Sequence, residues 1–138
     1  MRKLIALMML ASGAAQAAEL TMNAVPALCG NGTSGSCDVY NDGITVYRWY
    51  WYWGGTYGNA SLTQYGIDSA GTRFVEVTYK TNLTASPRGG VSNIVLVDPL
   101  GSTVGISYAG HTTSTLIRSG HNFYSYRTYV DSGSVTTP

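Results

Sequence analysis

Charge is what this chain has least of. Only 11% of its 138 residues are Asp, Glu, Lys or Arg, against ~25% in an ordinary soluble domain. Ser, Thr, Gly and Asn must supply most of the polar surface, which is then hydrated without strong fields. Nucleic acid binding, which rests on clustered Lys and Arg, is disfavoured. So is a polybasic role at a membrane surface. Helical periodicity is missing as well. There is no Cys-x-x-Cys, no Gly-x-Ser-x-Gly and no glycine-rich phosphate loop. No cofactor or metal is implied.

What is present begins with an export signal. Met1-Arg2-Lys3 is a short positive region, Leu4 to Ala11 is apolar, and small residues lead to Ala15-Gln16-Ala17. That is the pattern signal peptidase reads, with cleavage expected after Ala17. The apolar run is far short of the ~20 residues of a spanning helix. Losing Arg2 and Lys3 moves the formal charge from +1 to −1 and leaves Lys80 as the only lysine. The expected product is extracytoplasmic, either periplasmic or secreted. It has one domain over residues 18–131 and a loose polar tail, 132–138.

Only two cysteines occur, Cys29 and Cys37, on either side of a Gly/Ser/Asn loop. In an oxidising compartment such a pair is expected to close as a disulfide, worth about 2.5 kcal/mol in the loop-entropy account.

Val, Ile, Thr and Tyr dominate the ordered runs, and turn signals punctuate them. Asn41-Asp42-Gly43, Asp68-Ser69-Ala70-Gly71, Asp98-Pro99-Leu100-Gly101 and Ala109-Gly110 all read as turns. Eight to nine short strands at this spacing predict an all-β antiparallel fold, a sandwich or a small barrel. An outer-membrane barrel fits less well. Several runs are only six or seven residues, Ile94–Val97 is apolar on both faces, and the chain ends polar.

Ile44 to Trp53 is the most unusual run: Ile-Thr-Val-Tyr-Arg-Trp-Tyr-Trp-Tyr-Trp. Strand alternation puts Tyr47, Trp49, Trp51 and Trp53 on one face, and Arg48, Tyr50 and Tyr52 on the other. Arginine is rarely buried unpaired, so Arg48 favours an outward tyrosine face and inward tryptophans. The opposite orientation would stand the tryptophans in solvent. Either way an aromatic ladder reaches the surface, and such ladders suit hydroxylated ligands or protein partners. The candidate ligand-binding residues are Arg48, Trp49, Tyr50, Trp51, Tyr52, Trp53 and Tyr57, with Tyr65 placed to extend the platform.

No catalytic constellation stands out. His111 and His121 each follow a glycine and read as turn residues, and a zinc site would need more ligands than lie nearby. Asp42, Asp68 and Asp98 read as turn-capping residues. Glu76 reads as solvent-facing beside Thr78 and Lys80. Paired glycosidase carboxylates are therefore not expected. Three Asn-x-Ser/Thr triplets read as chance matches.

The expectation is a non-enzymatic exported binding module, with a glycan or cell-surface polymer as ligand. The alternative is a structural or adhesive subunit that self-associates by strand addition, its alternating Leu20–Val25 segment pairing with a neighbour's sheet edge.

Overall fold

The computed structural model describes residues 18–22, 33–87, 90–118, 120 and 123–138. These form eight strands: β1 Glu19–Thr21, β2 Ser34–Asn41, β3 Thr45–Trp53, β4 Gly58–Ile67, β5 Arg73–Leu83, β6 Gly90–Val97, β7 Thr103–Arg118 and β8 Phe123–Thr136. All pairings are antiparallel, in the order β1-β8-β7-β6-β5-β4-β3-β2. No helix occurs among the described residues.

The all-β antiparallel expectation holds at this level. The finer choice of sandwich or barrel is replaced by one open sheet. From β2 to β8 each strand pairs with the next, so hydrogen bonding runs through the whole meander. It does not close, because β1 pairs with β8 and not with β2. Between β5 and β6 continuity narrows to one register pair, Lys80↔Val97.

Inward side chains from β2 through β8, joined by Met22 after β1, make one cluster. Trp49, Trp51, Leu62, Leu96 and Val135 in it are fully buried. Among the described residues no helix covers that face, and inward side chains of strands distant in the sheet order bury one another. The Nε1 of Trp49 is buried without a hydrogen-bond partner among the described residues, at a cost of about 1–3 kcal/mol. Burying a ring of ~150–250 Å² at ~25 cal/mol/Å² stabilises by about 4–6 kcal/mol, so the tryptophan stays inside.

Two hairpins close in the same way. In Asp68–Thr72, Asp68 Oδ1 accepts from the N–H groups of Ala70 and Thr72 at 2.9 Å. In Asp98–Ser102, Asp98 Oδ1 accepts from those of Leu100 and Ser102 at 2.9 and 2.8 Å. Gly71 and Gly101 take φ of 83° and 91°, which only glycine adopts cheaply. Asp42 accepts from the Ile44 and Thr45 amides at 2.9 and 2.7 Å, bonds that hold its carboxyl below the usual value. All three aspartates cap turns.

Three details depart from the sequence expectation. Ala109-Gly110 is not a turn: β7 runs through it and the register shifts there. The backbone of Tyr129 approaches Gly110 so closely that a Cβ would collide with its carbonyl oxygen. His111 therefore stands on a strand, while His121 lies outside the described residues. Nor is the segment after Asp131 loose. Ser134–Thr136 pairs with β7 on one side and β1 on the other. Gly133 is excluded from carrying a side chain by Met22 Sδ and Ser107 O, and Val135 is fully buried. Finally, a bulge opposite Gln64/Tyr65 changes the phase of β5. Glu76 is exposed but turns away from the face of Thr78 and Lys80, accepting a 2.7 Å hydrogen bond from Gln64 Nε2.

Candidate binding face

β3 divides the candidate residues between two environments. Trp49 and Trp51 have no exposed surface, and Trp53 is half-buried against the same cluster. On the opposite face Tyr50 is 41% exposed, while Arg48 and Tyr52 are half-buried. Tyr57 is 63% exposed in the turn that follows. The outward tyrosine orientation is therefore the one adopted, and Trp49 and Trp51 lie beyond the reach of a surface ligand.

The turn positions Tyr57. The Gly54 N–H donates to Tyr57 O at 2.7 Å, and the missing side chain at Gly54 leaves room for the Tyr52 hydroxyl at 3.0 Å from where a Cβ would stand. Tyr57 thus folds back on Tyr52, edge to face, with ring centroids 6.3 Å apart. This geometry favours aromatic pairs.

Register then fixes what flanks the tyrosines. One row across the sheet is Ser34, Tyr52, Asn59, Asn82; the next is Ser36, Tyr50, Ser61, Lys80; the third is Asp38, Arg48, Thr63, Thr78. Each tyrosine is bordered by short hydroxyl or amide side chains. A shallow depression of about 360 Å³ lies beside Tyr50, lined by Asn59, Ser61, Lys80, Thr81 and Asn82. The ammonium of Lys80 has no ion-pair partner among the described residues.

An ion-pair bridge crosses the same face. Asp38 on β2 accepts from Arg48 Nη1 at 3.2 Å and from both terminal nitrogens of Arg73 on β5, at 3.0 and 2.7 Å. The Arg73 hydrogen bond is the main reason the Asp38 carboxyl is held below its usual value, with Arg48 adding to it against partial desolvation. Val46 shares the face of Arg48 and is fully buried, yet stands outside the main core. Its cover comes from this outer side, where Tyr65 is its register partner.

The face therefore gathers Arg48, Arg73 and Lys80 against Asp38 alone. That is half of the six cations left in residues 18–138, in a chain that is net negative over those residues. Sequence reading missed Lys80, Arg73, Asn59 and Asn82 because they reach the tyrosines from other strands. Tyr65 is half-buried two positions further along β4.

A second polar group lies at the bulge of β7 and β8. His111 Nδ1 sits 3.0 and 3.1 Å from the two oxygens of Asp131, and its ring stacks on Tyr129 at 5.0 Å. Both members of the pair are more than half exposed. No cluster of metal-ligating side chains occurs among the described residues.

Cys37 is half-buried against the core on β2 and is not a free thiol. Cys29, its expected partner, lies outside the described residues, as does Asn23–Val25 of the expected exchange strand. Glu19–Thr21 pairs within the chain, on β8. No helix among the described residues is long and apolar enough to cross a membrane. Neither protein-family models, curated proteins nor solved structures yield a match to this chain.

Proposed function

We propose that this protein is an exported, non-enzymatic binding module whose outer β2–β5 face holds a glycan or cell-surface polymer. The observation that carries this reading is the register row Ser36–Tyr50–Ser61–Lys80 beside the depression. Tyr50 offers a ring face for the C–H surface of a sugar, and Tyr52 with Tyr57 extends it. Asn59, Asn82 and Ser61 supply donors and acceptors for hydroxyls. Lys80 and the net positive set around it favour a polymer with carboxylate or sulfate groups. Export after Ala17 and a Cys29–Cys37 bridge belong to the same proposal, as does a sandwich-like division of the sheet at the β5–β6 seam.

The test is affinity electrophoresis through gels containing a polyuronate, a sulfated glycan or a neutral glucan. Retardation by an acidic polymer, weakened by salt and by Lys80→Ala, is expected. Free migration through all three gels would remove the proposal.

A further inference from the structure

β5 and β6 enclose a groove of about 310 Å³. They share the register pair Lys80↔Val97, and past it Asn82–Leu83 and Ser92–Val95 have no partners across the gap among the described residues. Backbone groups on both walls therefore meet solvent or a ligand in place of a ladder. At the other end the Tyr108 hydroxyl, buried, donates to Pro87 O at 2.6 Å. That bond ties the β5–β6 connection to β7, so the groove is bounded at both ends.

Its lining is polar without charge. Thr81, Asn82, Thr84, Ser86, Ser92 and Asn93 supply hydroxyls and amides, and no Asp, Glu, Lys or Arg lines it among the described residues. Ser107 Oγ donates to Asn93 Oδ1 at 2.6 Å, which orients that amide and leaves its NH2 group to donate. Thr81 and Asn82 also line the depression of about 360 Å³ beside Tyr50. The two hollows thus meet across β5, and they differ in charge: Lys80 stands in the depression. From Tyr50 on β3 to β5 is two strand spacings, ~10 Å, so a ligand that touches both hollows is an oligomer.

We propose that depression and groove together hold one stretch of a glycan of mixed repeat. An acidic sugar lies beside Tyr50 and Lys80, and an uncharged sugar lies in the groove. This rests on the tyrosine-face reading and adds a second subsite to it. An all-acidic chain would place a charge in the groove without a counter-charge, which is costly. An all-neutral chain would leave Lys80 unused.

The test is calorimetric titration with three octasaccharides: one alternating glucuronate with N-acetylglucosamine, an oligouronate, and a neutral maltooligosaccharide. The wild type is compared with Tyr50→Ala and with Ala85→Leu, which adds bulk to the groove from an exposed bend, all shown to have matching melting temperatures. The alternating oligomer is expected to bind the wild type most tightly. Ala85→Leu should weaken it about tenfold, the equivalent of one or two lost hydrogen bonds. If Ala85→Leu fails to fold, Thr84→Leu takes its place with the same expected loss. Binding that Tyr50→Ala weakens but the groove variant leaves unchanged would overturn the groove subsite alone, as would tighter wild-type binding of either homo-oligomer. No binding of any octasaccharide, or indifference to Tyr50→Ala, would remove the tyrosine-face reading and this inference with it.

Discussion

Tyr50 and Trp51 are consecutive residues whose rings stand on opposite sides of one sheet: Trp51 is wholly buried, Tyr50 is 41% exposed. Pleating alone separates them, yet it assigns them different work. Trp51 belongs to the core, and Tyr50 belongs to the face where Ser36, Ser61 and Lys80 flank it.

Truncating each ring should separate stability from binding. Trp51→Ala empties a large core position and is expected to cost about 3–5 kcal/mol. Tyr50→Ala leaves the core intact and should cost under about 1 kcal/mol. Denaturant unfolding followed by tryptophan emission checks both. Equal losses would mean that the two faces are not distinct in this way.

Acid should loosen the bridge across the outer face. The Asp38 carboxyl titrates below its ordinary value of 3.8, chiefly through its hydrogen bond to Arg73. A depressed carboxylate pKa stabilises the fold above the unfolded value, and that stabilisation fades as pH falls through the folded value. All three partners are partly exposed, so solvent screening holds the contribution to about 1 kcal/mol or less. Asp38→Asn should lower stability by that order at neutral pH and flatten the dependence below about pH 4. An unchanged acid limb in a pH series of melting curves would show that the bridge contributes nothing.

Alkali acts on the inner face. Burial raises the Tyr47 and Tyr108 hydroxyls to about 12. For these groups stability is complete below the unfolded value near 10 and declines as pH climbs toward the folded value. Phenolate absorbance should show an exposed set of tyrosines ionising first, with Tyr47 and Tyr108 following only with unfolding near pH 12. Tyr47→Phe and Tyr108→Phe should each remove one late-ionising group. Early ionisation of either in a folded sample would place it at the surface.

Much of this was legible in residue pattern, and the failures have physical causes. The turns were readable because Asp and Gly at fixed spacing have a local mechanism, which Asp68 and Asp98 both use. The inward tryptophans followed from a single polar residue, Arg48, in an alternating run. Gly110 and Gly133 misled because glycine also serves where two segments approach closely, and that requirement comes from Tyr129 in one case and Met22 in the other. Glu76 misled because the bulge in β5 arises from pairing with β4 and leaves no mark in the sequence of β5 alone. The candidate face was half legible: Tyr50 and Tyr52 lie in one run, whereas Asn59, Arg73, Lys80 and Asn82 join them only through register.

Close approach at Gly133 gives a further expectation. Gly133→Ala would drive a methyl into Met22 Sδ and Ser107 O and so press on both β1 and β7. A loss of about 1–3 kcal/mol is expected, partly recovered by Met22→Ala, which removes one of the two obstructions. Thermal melts of the single and double variants check this. A neutral Gly133→Ala would mean that the C-terminal strand is not packed there.

Polymer binding by the outer tyrosine face is open to a direct titration. The protein and its Tyr50→Ala variant, shown to have matching melting temperatures, are titrated calorimetrically with a soluble acidic oligosaccharide. Saturable binding by the wild type, weakened about tenfold or more by Tyr50→Ala as for a buried aromatic anchor, is the expected result. Equal affinity in the two proteins, or no heat from the wild type with acidic or neutral oligosaccharides, would contradict it.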